Sequence, residues 1–124
     1  MRLPQPVKRL AHTLRLHRIT TRPSTRRVVV EHDGSVLAAS TRAIELDETG
    51  APTRYYLPRE DVRMDLLTPS ATTSHCPFKG DATYFSAPHA PDAFWVYEAP
   101  EEPDALPIAG LLAPADELTI RRGR

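Results

Sequence analysis

With 124 residues, 40% of them apolar and 26% charged, the chain has room for one domain with one core and is too apolar for wholesale disorder. Its formal net charge is zero, and no apolar run approaches the ~20 residues of a membrane-spanning helix. Arg15 and Arg18 interrupt the amino-terminal apolar residues, so no secretory signal is expected, and the single cysteine, Cys76, forms no internal disulfide, so a cytoplasmic protein is expected.

The charge is unevenly spread. Residues 1–27 hold eight Arg or Lys and no acid, residues 28–120 carry a balance of −11, and the last four return +3. Residues 1–17 therefore read as a basic arm and residues 18–124 as the domain. No aromatic residue in 1–27 is available to stack on bases, so nucleic acid is not an expected partner.

In chain order, Val7, Leu10, Ala11 and Leu14 fall at helical spacing after Pro6, which predicts a short helix or frayed arm over 5–16. Residues 20–25, centred on Pro23, read as a loop. Strands follow at 27–31, 36–40, 43–46 and 54–57. Between the first two stands Asp33-Gly34, a hairpin signal because the primed turns need positive φ at both central positions. Pro58 to Asp61 reads as a single helical turn, and 62–67 is ambiguous between helix and strand. Residues 72–86 form two strands about a Pro77–Gly80 turn. Residues 94–97, 108–112 and 118–120 supply the rest, and the acidic, proline-rich 98–107 reads as a surface loop. Seven or eight short antiparallel strands at this spacing predict a mainly β domain, a sandwich or an open barrel.

Two segments gather chemistry. Ser74 to Gly80 places His75, Cys76 and Lys79 within five residues, offering a base, a nucleophile and a cation. Adjacent strand residues point to opposite faces, so His75 is poorly placed to deprotonate Cys76, while Lys79 at a turn tip is placed to hold an anion. The structural alternative makes Cys76 a small buried hydrophobe and the rest a turn. Tyr55 to Asp61 offers Tyr56 as a pocket wall, Arg59 as a carboxylate or phosphate clamp and Asp61 at the rim; the alternative is a turn in which Arg59 pairs with an acid of the body. Trp95 and Tyr97 share one strand face, as core or as pocket lining. No histidine–cysteine spacing suits a metal site. Phosphate-loop and nucleophile-elbow signatures are absent, and the adjacent acids lie in turns rather than clustering for Mg²⁺.

From about Arg18 to Leu112 the chain resembles the domain-of-unknown-function 427 family. The resemblance rests on ordered landmarks: Arg26-Arg27-Val28-Val29-Val30, Gly34, Ala38-Ala39-Ser40, Arg42-Ala43, Tyr55 to Val62, His75 to Gly80, Ala82, Tyr84, Trp95, Tyr97, Pro100 and Ile108-Ala109-Gly110. It implies a compact, β-rich, cytoplasmic domain, sometimes labelled nucleotidyltransferase-like. The chain departs from the family pattern after Gly110, where Leu111-Leu112-Ala113-Pro114 stands in place of an aromatic pair.

The expected function is binding of a small polar or anionic ligand near the His75–Gly80 turn. His75, Cys76 and Lys79 are the candidate catalytic residues, and Tyr56, Arg59, Asp61, Trp95 and Tyr97 the candidate ligand contacts. A non-catalytic protein-interaction module is the alternative, and a nucleotidyltransferase-like enzyme a more distant one. The sequence leaves catalysis, cofactor, self-association and the identity of the ligand open.

Overall fold

The computed structural model describes residues 17–123. These form ten strands: β1 (Ile19–Pro23), β2 (Val28–His32), β3 (Ser35–Ser40), β4 (Ile44–Glu48), β5 (Arg54–Tyr56), β6 (Thr68–Cys76), β7 (Gly80–Ala87), β8 (Ala90–Tyr97), β9 (Leu112–Pro114) and β10 (Thr119–Arg122). Three 3₁₀ turns, Arg59–Asp61, Met64–Leu66 and Pro103–Ile108, complete them. The helix expected over 5–16, and residues 1–16 of the basic arm, lie outside the described residues. No described helix is long and apolar enough to cross a membrane.

All pairings are antiparallel and make three sheets. Sheet I has the order β1-β4-β5, sheet II β10-β2-β3 and sheet III β6-β7-β8-β9. A bridge between Leu57 and Leu112, made by reciprocal bonds of 2.8 and 2.9 Å, joins the end of β5 to β9 and so ties sheet I to sheet III. The expected sandwich-or-open-barrel architecture is thus present as three sheets without a closed barrel.

Strand periodicity decides what each sheet buries. Along β8, Phe94 and Val96 point to one face and Trp95 and Tyr97 to the other. Phe94 and Val96 join Val28, Val30 and Leu37 of sheet II in one core cluster. Tyr97, with Trp95 packed against the edge, joins Ile19, Leu46 and Tyr56 of sheet I in a second. Strands β8 and β9 of sheet III are therefore the shared wall, while β6 at the sheet's edge is largely exposed. The Asp33-Gly34 turn has φ of 50° and 80°, which explains why the chain reverses there with no intervening residues.

Three segments differ from expectation. Residues 20–25 hold most of β1, which pairs with β4; as an edge strand it tolerates Pro23, whose missing N–H faces no neighbour. The 98–107 segment is not wholly surface loop, because its 3₁₀ turn drives Ala105 and Ile108 into the second cluster while Asp104 stays exposed. Residues 108–112 do not form a strand: Gly110, at φ 75°, turns the chain, and β9 starts only at Leu112.

Candidate functional site

The second core cluster does not fill its own outer end. A crevice of about 240 Å³ remains there, bounded by the β4–β5 hairpin on one side and by β7, β8 and the turn before β7 on the other. Glu48 closes β4 and Arg54 opens β5, with Ala51 and Pro52 of the connecting turn between them. Tyr84, Trp95 and Tyr97 form the opposite wall, and Lys79 forms the floor.

Lys79 is the distinctive member. It is only 8% exposed, which is rare for a lysine and requires a partner. Its Nζ donates to Glu48 Oε1 and lies 5.4 Å from the centre of the Tyr97 ring. The other carboxylate oxygen, Glu48 Oε2, is 2.8 Å from His17 Nε2, and the His17 ring stacks on Phe78 at 3.6 Å. A glycine must follow Lys79: Gly80 has φ of 98°, and a Cβ there would meet the Ala99 carbonyl oxygen at 3.1 Å. Glu101 also passes within 3.3 Å of that Cβ position.

The aromatic wall is polar at selected points. Trp95 Nε1 donates to the Tyr56 hydroxyl at 3.1 Å, and the two rings meet edge-on. Tyr84 and Ser74 share a hydroxyl–hydroxyl bond of 2.9 Å. At the rim, Arg54 lies 5.3 Å over the Trp95 ring and pairs with the exposed Asp116. Burial pushes the phenols of Tyr56 and Tyr97 well above their ordinary range, so both stay neutral and act as hydrogen-bonding groups.

Of the residues singled out in the sequence, Lys79, Trp95 and Tyr97 line the crevice, and Tyr56 lies behind it, bonded to Trp95. Cys76 is half-buried against the same cluster. His75 occupies the other face of β6, where its Nδ1 is 2.6 Å from Asp81 Oδ1, and it does not line the crevice. Arg59 and Asp61 are elsewhere. Arg59 binds Glu98 and the Gly110 carbonyl and lies 5.6 Å over the Phe85 ring. Asp61 accepts from Ser40 Oγ at 2.7 Å and from Arg42, locking the 3₁₀ turn to the end of β3.

Glu48, Arg54 and Tyr84 join the site without having been singled out. A signal for two of them was present. Glu48 continues the Ile44, Leu46 alternation of β4, and Arg54 shares a strand face with Tyr56, so each puts a charge on an inward face. Among the described residues, no group of three or more His, Cys, Asp or Glu side chains is placed to share a metal ion.

A family model described as a domain of unknown function (DUF427) matches residues 20–121, a span that includes every crevice residue and extends past β9 into β10. No curated protein matches the chain.

Proposed function

The chain belongs to the DUF427 family, a description that assigns no activity, and we propose that it binds a small anionic metabolite in the Lys79 crevice. The observation that carries this reading is a nearly buried lysine at the floor of an open, aromatic-walled cleft. Burying an ammonium costs several kcal/mol, and a purely structural site would do as well with an apolar side chain. Lys79 is matched by Glu48, whereas Arg54 at the rim pairs with the exposed Asp116, which an incoming carboxylate or phosphate group can displace. The volume of about 240 Å³ lies below the ~300–1,000 Å³ of drug-sized sites, so the ligand has the size of an amino acid or a monosaccharide derivative. Trp95 and Tyr97 offer it an apolar face.

The reading stops at binding. His75 is tied to Asp81 outside the crevice, and Cys76 is packed beneath it, so neither supplies a poised acid–base or nucleophilic pair. Nucleotidyl transfer is less supported, since it needs clustered carboxylates to hold Mg²⁺ and the described residues offer none. An interaction module acting through residues 1–17 would rest almost wholly on residues outside those described.

Trp95 is the sole tryptophan, so its fluorescence reports occupancy directly. A panel of small carboxylates and phosphorylated metabolites, screened by fluorescence and thermal shift, tests the proposal. A ligand at ~100 times its Kd stabilises by ~2.7 kcal/mol, roughly a ten-degree rise in Tm for a domain of this length. The rise should vanish in Arg54→Gln, which alters the rim and leaves the core untouched. A folded protein with no response across the panel, or a response that survives both Arg54→Gln and Trp95→Ala, refutes it.

A further inference from the structure

A second crevice lies on the opposite face of sheet I. Residues 54–56 alternate, so Tyr56 points toward the first crevice and Tyr55 away from it. Across the strands, Arg22, Glu45 and Tyr55 are register partners and form one row on this face, whose Tyr55 end runs into the first core cluster. The 24–27 segment carries the chain from sheet I to sheet II beside that row, and the end of β10 lies along the segment, with Gly123 N bonded to the Arg27 carbonyl at 2.7 Å. Together they border an open groove of about 380 Å³ whose exposed lining includes Arg22, Arg26, Arg122, Thr25 and Thr53.

Three arginines converge here against two carboxylates, Glu45 in the lining and Asp47 beside it, a local excess of one positive charge on a body that is otherwise acidic. Their approach costs Coulomb energy unless something negative offsets it. Two of them are held. Arg22 pairs with Glu45 at 2.8 Å and with Asp47 at 2.6 Å, and Arg122 donates to the Tyr55 hydroxyl at 2.8 Å with its guanidinium 5.7 Å from the ring centre. Arg26 is presented by a turn in which the Ser24 hydroxyl bonds both its N–H and its carbonyl, each at 3.2 Å. Among the described residues no carboxylate pairs with the Arg26 guanidinium.

The lining is almost wholly polar, which disfavours an apolar ligand. Guanidinium groups and the Thr25 hydroxyl share this lining, donors that match a tetrahedral oxyanion with several acceptor oxygens. We propose that this crevice binds a phosphate-class oxyanion, either free or carried as the monoester of a small molecule. The site is independent of the Lys79 crevice, and the two stand or fall separately.

An amide-shift NMR titration of the full chain with inorganic phosphate and with glycerol phosphate, each against sodium chloride of equal ionic strength, tests this. The expected result is saturable shifts centred on Thr25, Arg26, Thr53 and Arg122. Affinity should fall about tenfold or more in Arg26→Gln, the loss of one charge-assisted bond, and stay unchanged in Arg54→Gln at the other crevice. Equal affinity for the two probes supports the free anion as ligand, and tighter monoester binding supports carried phosphate. Shifts that chloride reproduces, that never saturate, or that persist in folded Arg26→Gln and Arg122→Gln variants overturn the proposal.

Discussion

Lys79→Met isolates the charge at the floor of the first crevice while keeping a side chain of similar length over the Tyr97 ring. Glu48, whose side chain is 13% exposed, loses its ammonium partner and keeps only His17. Removing one member of a buried pair typically costs 3–5 kcal/mol; the retained His17 contact and the residual exposure of Glu48 reduce this to about 2–3 kcal/mol here. At ~4 °C per kcal/mol for this length, Tm should fall by roughly 8–12 °C. Adding Glu48→Gln removes the stranded carboxylate, so the double variant should recover about half of the loss, a coupling that a double-mutant cycle reads directly. Thermal unfolding followed by circular dichroism measures both. A single variant that melts within ~2 °C of the parent, or a double variant no better than the single, would refute the account of Lys79 as a buried, carboxylate-held charge.

Gly80→Ala should cost about 2–3 kcal/mol, through positive φ and contact with the Ala99 carbonyl. Gly34→Ala, with nothing within 4 Å of the added Cβ, should cost nearer 1 kcal/mol; urea unfolding ranks the two, and equal losses would contradict the crowding argument. Tyr56→Phe strands the Trp95 indole N–H and should destabilise by about 1 kcal/mol, with a shift in tryptophan emission that an unperturbed spectrum would deny. Because folding raises the phenol pKa of Tyr56 and Tyr97 above the ordinary 10.0, their contribution is complete below that value and is lost as pH rises through the folded values. Tyrosinate absorbance from these two should therefore appear only together with alkaline unfolding. In acid the sign reverses: hydrogen bonds from Thr53 and Arg22 lower Asp47, those from Ser70 and Thr72 lower Asp92, and Arg54 lowers Asp116 below the ordinary 3.8. Stability should hold above that value and decline below it, and a melting temperature unchanged well below pH 3.8 would contradict these contacts.

The hairpins were readable because their signals are local. Asp33-Gly34 needs only its own two φ angles, and the Trp95, Tyr97 alternation needs only four residues. Arg54 and Glu48 were harder to read, since their meaning depends on pairing: Glu48 looks like a turn charge and Arg54 like the start of a strand until β4 and β5 are set against β7 and β8. Residues 20–25 misled for a related reason. Pro23 marks a loop by composition, and only its place at the end of an edge strand makes it compatible with pairing. Arg59 and Asp61 are adjacent to the aromatic pair in sequence, yet the 3₁₀ turn after Pro58 carries them to Glu98 and Ser40, a divergence no spacing rule reveals. In the 103–108 segment, two inward residues among acids and prolines are too few to set a periodicity.

The threading of the sheets bears on how the chain is made. Sheet III is assembled from neighbours in sequence, β6 through β9, and the Phe94 face of that wall exists as soon as residues up to Pro114 have emerged from the ribosome. Sheets I and II are interleaved instead: the chain passes from β1 to β2–β3, back to β4–β5, and returns to β2 only with β10. During synthesis β2 therefore waits with one edge unpaired and Val28 and Val30 uncovered on that side, held by β3 alone. Strand β10, Thr119–Arg122, is the piece that seals that edge, so a chain that stops short of it keeps an open, valine-rich strand, the kind of species that pairs with its own copies.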